Sequence, residues 1–373
     1  MTAASFHVAR AEWLGRQDRI PTALQSAQEA RASIDVGPVL AFPGLINSHD
    51  HLEFNCYEPL GNPPYTDVKH WGADIHRNHK DVVAAVEAIP RTIRLKIGVL
   101  KNLLSGVTSV SHHGARLPPD LDPPIRIISD FDVVHSPEQE PKGRLEFLKP
   151  WRKKPLVLHM AEATTAEGRE RALAFMRWNP FGRRVIGVHG VALKEQDFSR
   201  LDALVWCPAS NVFLLRRTAD VAVAKRTTTI LFGSDSTLSA PGTIWDHLRM
   251  ARSLGGLSDT DLFRSLTDDA ERAWRMDGGD FVLTKRRESD PWSAFFATTP
   301  ADVVLVVSKG EVALAGEEIV EACPEMCAGL RPLHLGAWRK WIRMDIEGLQ
   351  SGFDASANGL DFVRTMRRLA GTA

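Results

Sequence analysis

The sequence predicts an α/β protein built on a TIM-type (β/α)8 barrel, abbreviated or distorted at one point. A small β-domain drawn from both chain ends is expected to accompany it. Short apolar strands alternate with helical stretches between residues 39 and 235, which implies a parallel sheet with crossovers. At least six such strands are expected there, and several end in a polar, chemically able residue: His51, His112 or His113, His135, His159, His189 and Asp235. In such barrels the reacting groups stand at the C-terminal strand ends, on one face. That coincidence favours a barrel over an open sheet.

The 373 residues suit one large domain with a small companion. Charged residues make up 25% and the formal net charge is zero, so neither a nucleic-acid nor an acidic-membrane footprint is present. The N-terminal stretch carries charges throughout and lacks the apolar core of a signal peptide. No apolar run of about 18 residues offers a membrane span. A soluble, cytoplasmic protein acting on a small molecule is the expectation, with homo-oligomerisation left open. Of the four cysteines, Cys323 and Cys327 form a CPEMC pair with no second pair nearby to complete a zinc knuckle, so the pair reads as structural.

Residues 5–40 read as short strands and turns, with strands starting near Phe6 and spanning 32–36. The segment is too small for a core of its own. The next apolar run, 39–42, passes through Pro43-Gly44 and Leu45-Ile46 into His49-Asp50-His51. Side chains alternate along a strand, so His49 and His51 leave it on one face while Asp50 points to the other and is structural. Two imidazoles on one face make half of a metal site, and neutral imidazole suits Zn²⁺ and Fe²⁺. Alone, the tripeptide is equally well two polar residues at a strand–loop junction. Apolar residues recur at helical spacing over 81–105, with a break or kink at Pro90 and a cap at Gly106. Strands follow at 107–111, 125–134, 156–159, 184–189, 203–207 and 228–232. Helices are expected at 165–178, near Glu195, and at 218–226, 241–254 and 258–275, the last capped by Ser258. A hairpin at 301–307 and 311–315 and a polar helix at 359–369 complete the chain. The expected division is 1–40 with 301–320 as the small β-domain, 41–300 as the barrel, and 321–373 as a C-terminal helical extension.

LVLHMAE places His159 at a strand end with Glu162 three residues on; RVIGVHG does the same for His189, and ILFGSDS for Asp235. Each has a bland alternative, a solvated strand end or a turn. Together and in this order they are hard to explain as accident. The pattern PGLINSHDH … HMAE … VHG … CPASNVFL … GSDS resembles the amidohydrolase superfamily over about residues 39–315. It is most similar to the branch holding guanine, adenosine-type and S-adenosylhomocysteine deaminases and the triazine hydrolases. The resemblance implies that His49, His51, His159 and Asp235 bind one divalent metal, Zn²⁺ ahead of Fe²⁺. It implies that Glu162 shuttles protons, that His189 hydrogen-bonds substrate or the attacking water, and that Ser210 and Asn211 shape a strand-end loop. The implied activity is hydrolysis of a C–N bond by metal-activated water, with deamination of a nucleobase-like heterocycle leading. Hydrolysis of an amide or cyclic amide, or loss of another leaving group from a ring, is the alternative within enzymes. A metal-binding barrel without turnover is the alternative outside them, and Glu162 counts against it.

Some features depart from that pattern. No lysine ends an apolar strand where a carbamylated bridging ligand would stand, since Lys153-Lys154 precede a strand; this favours one metal over two. Only about forty residues separate Gly114 from Leu156, so one β/α unit is expected to be shortened. His112, His113 and His135 either reach the pocket or are solvated strand ends. His70, Trp71 and His76, expected in the loop after the first strand, point weakly to substrate. The candidate substrate contacts are therefore His113, His135, Trp71, Ser210 and Asn211.

Overall fold

Gly44 divides the central apolar run into two strands that serve different sheets. A Cβ at Gly44 would stand 2.2 Å from Thr108 Oγ1, so only glycine lets the chain pass there. The structure is a computed structural model, and it describes residues 6–21, 24, 32–136, 141–148, 153–335, 338–356 and 360–371.

After Gly44 the chain enters a parallel array. Its strands are β1 (Leu45–Asp50), β2 (Val107–His112), β3 (Arg126–Ile128), β4 (Asp132–Val134), β5 (Leu156–Met160), β6 (Val185–His189), β7 (Ala203–Trp206) and β8 (Thr229–Phe232). Strands β1 to β3 form one sheet and β4 to β8 another, each in chain order, with every pairing parallel. All but β3 and β4 are buried along almost their whole length, which is why they read as continuous apolar runs.

The array is distorted between Gly114 and Leu156, where a shortened β/α unit is expected. Residues 125–134, expected as one strand, are interrupted at Ser129-Asp130-Phe131. β3 pairs with β2, β4 pairs with β5, and no pairing joins β3 to β4 among the described residues. From β8 the array returns to β1 through a single parallel bridge, Asp50 to Asp235. Among the described residues, 115–155 hold β3, β4 and a 3-10 segment (Pro141–Leu148) but no α-helix. A parallel crossover needs a dozen or more residues, and the proline-rich stretch 118–124 cannot supply a helix within so short a span.

The seven-stranded sheet described on the other side of Gly44 runs in the order Arg331–Leu335, Trp338–Ile342, Glu311–Gly316, Val303–Ser308, Phe281–Lys285, Val39–Pro43, Ala11–Trp13. Phe281–Lys285 thus lies in this sheet and not in the parallel array where the expected boundary put it. Residues 331–342, expected to be helical, form a hairpin whose second strand pairs with Glu311–Gly316. Helices Ile346–Asp354 and Phe362–Leu369 follow; Gly359, the expected start of the last helix, lies outside the described residues. Phe6–Val8 pairs with Ala32–Ile34. No helix among the described residues is long and apolar enough to cross a membrane.

Proline breaks the 81–105 helical pattern as expected, into Lys80–Glu87 and Arg91–Leu104. The 258–275 pattern also divides, into Asp259–Ser265 and Asp268–Trp274, because Thr267 adopts a non-helical φ of −130° and ψ of −107°. Helix Arg91–Leu104 lies directly on the 3-10 turn Leu52–Phe54 that follows β1. A Cβ at Gly98 would come within 2.2 Å of the Leu52 carbonyl oxygen.

Gly98→Ala should therefore lift that helix from the turn and lower stability by about 1 to 3 kcal/mol, although alanine is the better helix former. The denaturant midpoint measures this. A second expectation concerns His247, whose buried ring donates to the Pro241 carbonyl at 2.9 Å. Burial, with the nearby Lys101 charge, pushes its pKa down to about 4. The unfolded chain takes up this proton near pH 6.5, so the folded state loses stability as pH falls from about 6.5 to about 4, by up to about 3 kcal/mol. In His247→Gln that portion of the acid-side loss should vanish when unfolding is compared with wild type across this window.

Candidate metal centre at the strand tips

The tip of β1 and the loop after β8 are laced together by their backbones. The N–H groups of Ser234 and Asp235 donate to the His49 carbonyl at 3.1 and 3.0 Å, and the His51 N–H donates to the Asp235 carbonyl at 3.1 Å. The price in backbone strain is visible: Asp235 and His189 hold φ values of 58° and 70°, in the left-handed region that side-chain-bearing residues seldom occupy. Gly233 permits the approach, because a Cβ there would stand 2.8 Å from His49 Cβ and 2.9 Å from Cys207 Sγ.

These constraints gather donor atoms from distant segments. Ring nitrogens of His49, His51 and His159 lie within 4.8 Å of one another. His49 Nε2 and His159 Nε2 face each other at 3.3 Å. Asp235 Oδ1 stands 3.6 Å from His49 Nε2 and 3.7 Å from His51 Nε2. The other carboxylate oxygen accepts from Ser210 at 2.6 Å and Ser239 at 2.8 Å, which leaves Oδ1 for the centre. Burial drives the His51 and His159 pKa values well below the usual imidazole range, so both rings are neutral. Burial alone would raise the Asp235 carboxyl, but the close approach of His49 and the neighbouring His51 and His189 rings outweigh it and hold the group well below the usual carboxylate range. Neutral imidazoles and one carboxylate with a free oxygen are the donor set a divalent zinc or iron ion takes.

A second group shares His159. Donor atoms of His159, Glu162 and His189 also lie within 4.8 Å of one another, and His189 Nε2 is 3.6 Å from Glu162 Oε2. His189 Nδ1 donates to Asn211 Oδ1 at 2.8 Å, and the Asn211 amide is oriented in turn by its donation to Thr218 Oγ1 at 3.2 Å. The pairing puts the proton on Nδ1 and leaves the Nε2 lone pair toward Glu162. Burial holds His189 down to about 4, so the ring stays neutral.

Glu162, His189 and Asp235 line a cavity of about 250 Å³, together with His51, Trp71 and His135. Trp71 sits on helix Val68–Asn78 and not in a loop as expected, with its indole N–H donating to the Leu60 carbonyl at 2.9 Å. His70 and His76, on the same helix, are exposed. Three expected substrate contacts do not line the cavity. Ser210 and Asn211 act instead on the side chains of Asp235 and His189, because their helix, Pro208–Leu215, begins behind those residues. His113 is fully buried among the site's histidines. Cys323 and Cys327 are free thiols.

Sequence reasoning missed what lies behind the histidines. Asp50, on the opposite face of β1, accepts from Asn47 at 3.1 Å, Asn102 at 2.8 Å and Asn55 at 2.8 Å, and Lys101 Nζ stands 3.3 Å away. Lys101 also donates to Asn55 Oδ1 at 2.8 Å and Ser234 Oγ at 3.2 Å. All six residues are buried. The available signal was the Lys101-Asn102 pair inside the otherwise apolar face of IGVLKNLL. Lys101→Met would strand the Asp50 charge and should cost about 3 to 5 kcal/mol. Chemical denaturation measures the loss, and metal retention after dialysis should fall with it, because both β1 and the β8 loop hang on this cluster.

No family model matches the sequence, and no curated protein sequence matches it. Solved structures do match the fold. An adenosine deaminase from Xanthomonas campestris with bound zinc is 17% identical, with 89% of this chain and 88% of that one covered and a TM-score of 0.63. The triazine hydrolase from Arthobacter aurescens is 16% identical over 89% and 91%, with a TM-score of 0.60. The aminofutalosine deaminase from Helicobacter pylori, in complex with methylthio-coformycin, is 14% identical over 76% and 89%, with a TM-score of 0.53. This chain shares the fold of these enzymes.

Proposed function

We propose that this chain is a metal-dependent hydrolase that cleaves a C–N bond, and that its leading reaction is removal of an amino group from a nitrogen heterocycle. One observation carries the reading: the Glu162–His189 pair adjoins the three-histidine, one-aspartate donor set on the wall of the same cavity. A metal store needs the donor set but not the acid beside it. Support comes from the shared fold, since the similar structures include two deaminases and a triazine hydrolase.

His49, His51, His159 and Asp235 would hold one divalent ion, zinc first and iron second. An ion in such a site lowers the pKa of bound water from about 16 to roughly 7. Asp235 would take a proton from the water, and Ser210 and Ser239 hold its carboxylate in position through the other oxygen. Glu162 delivers a proton to the substrate ring nitrogen and then to the departing amine. The C–O bond forms first, as the ring nitrogen takes the Glu162 proton; the C–N bond then breaks, and of the two water protons one leaves with ammonia and one restores Glu162, the ring nitrogen keeping the proton it received. His189, neutral with its Nε2 lone pair free for the site, orients the attacking water or the substrate. Trp71 and Phe54 give the cavity an aromatic side against which a flat ring can stack. At about 250 Å³ the cavity suits a small heterocycle.

A second reading is favoured by the triazine hydrolase likeness: displacement of a substituent other than an amine from the ring. The fold hosts both chemistries. An ammonia-release screen over nucleobases, nucleosides and triazines separates them. Glu162→Gln should reduce turnover by about 100-fold or more with metal content unchanged. An unaltered rate removes Glu162 as proton carrier; a metal-loaded wild type that releases no ammonia while freeing another group establishes the second reading.

A further inference from the structure

Glu162 stands on a backbone already under strain. Ala161, the residue before it, holds φ at 48°, in the left-handed region that alanine seldom occupies. Such a conformation persists only where its surroundings over-determine it. Here a short antiparallel ladder does so. The Val68 N–H donates to the Glu162 carbonyl at 3.2 Å, the Thr164 N–H donates to the Thr66 carbonyl at 2.8 Å, and Asp67 and Ala163 face each other between these bonds. Just before the ladder, the Tyr65 N–H donates to the Leu214 carbonyl at 2.8 Å, on the helix whose Ser210 and Asn211 hold Asp235 and His189. Residues 65–68 thus run as a crossbar from the Glu162 loop to that helix. Val68 and Trp71, at its far end, line the cavity.

We infer that Asp67 is a positioning residue for Glu162: it fixes the crossbar, and the crossbar fixes the proton carrier. This rests on the proposed role of Glu162. Asp67 is the N-cap of helix Val68–Asn78, and its Oδ1 accepts from the His70 N–H at 2.9 Å and meets the His70 ring at 2.7 Å. Its other oxygen stands 3.7 Å from Arg171, on helix Ala166–Met176 that follows Glu162. The cap is the stronger hold. The Arg171 side chain is 37% exposed, and an ion pair at that distance and exposure contributes little. Loss of an N-cap, by contrast, loosens the first turn of its helix. That turn begins with Val68, the donor to the Glu162 carbonyl. Loosening it frees Glu162 on one side and the Val68–Trp71 wall on the other, so one carboxylate sets both the acid and the surface the substrate meets. His49, His51 and Asp235 are held by the backbones of β1 and the β8 loop and stay outside this path.

Two variants of the full chain test this. Asp67→Ala removes the cap acceptor; Asp67→Asn keeps it, since asparagine caps a helix as well as aspartate does. Amide hydrogen exchange needs no substrate. In Asp67→Ala the peptides covering 66–71 and 161–165 should exchange about tenfold faster, with the rest of the chain and the metal content as in wild type, while Asp67→Asn should match wild type throughout. Unchanged exchange at 161–165, or acceleration spread over the whole chain, overturns the inference. Turnover is read on the compound that releases ammonia in the screen. Its kcat should fall about tenfold in Asp67→Ala and recover in Asp67→Asn, whereas Asp67→Ala added to Glu162→Gln should lower the residual kcat no further. KM should rise with Asp67→Ala in both backgrounds, because the wall loosens in each. A further tenfold fall of kcat in the double variant shows Asp67 acting elsewhere than through Glu162, and that also overturns the inference. If no compound is turned over, the hydrolase reading fails, and the exchange result alone decides whether Asp67 fixes Glu162.

Discussion

The union of the β1 tip with the loop after β8 is the constraint on which the rest of the site depends. These segments are separated by some 180 residues of chain, yet they contribute His49 and His51 on one side and Asp235 on the other. Among the described residues one isolated parallel bridge, Asp50 to Asp235, joins the two ends of the array here. What makes so small a contact sufficient is the buried cluster behind it. Asp50 and Lys101 are both withdrawn from water: Asp50 accepts from Asn47 on β1, from Asn102 on helix Arg91–Leu104 and from Ser234, and Lys101, on the same helix, donates to Asn55 and Ser234. A buried ion pair of this kind adds little net stability compared with apolar packing, but it tolerates only one arrangement of its partners. Its effect is to set the register of two strand tips, and with it the spacing of donor atoms on the opposite face.

The same alternation of side chains separates two electrostatic regimes across one strand. Toward the core of β1 a carboxylate and an ammonium are paired and fully hydrogen-bonded. Toward the cavity, imidazoles crowd together, with nitrogens of His49 and His159 facing each other at short range. Burial suppresses protonation of His51, His159 and His189, so these rings present lone pairs where a cation can use them. Ser210 and Asn211 complete the division of labour by fixing one oxygen of Asp235 and one nitrogen of His189, which leaves the remaining atom of each free to act.

Much of this was legible in the one-dimensional pattern, for a physical reason. A buried strand followed by a polar, reactive residue is a local signal, and His49, His51, His159, His189 and Asp235 all carry it. Their gathering follows once the strands run parallel. The break of the 81–105 pattern at Pro90 was legible on similar grounds, because proline acts within its own turn. The shortened region between Gly114 and Leu156 could be read as short, but not as an interruption at Ser129–Phe131, since pairing partners are a property of three dimensions. Phe281–Lys285 and the hairpin 331–342 escaped notice because short strands with mixed polarity gain their stability from neighbours in the sheet. Lys101 escaped because a lysine on a helix ordinarily faces solvent, and only the packing on Leu52 turns it inward. Trp71 was placed near the pocket but in the wrong kind of element, since the Asp67 cap that starts its helix was not recognised.

The interruption between β3 and β4 bears on what the cavity can admit. His113 follows β2 and His135 follows β4, so the two rings stand on either flank of this seam, 5.2 Å apart. Covalent chain spans the seam, but no backbone ladder does so among the described residues. That flank lacks strand-to-strand hydrogen bonds among the described residues, whereas the flank between β1 and β8 is pinned by hydrogen bonds and a buried charge. A bulkier guest would thus make room by parting the weaker wall, with the donor atoms opposite left undisturbed. Stiffness and pliancy thus fall on different sides of one parallel array.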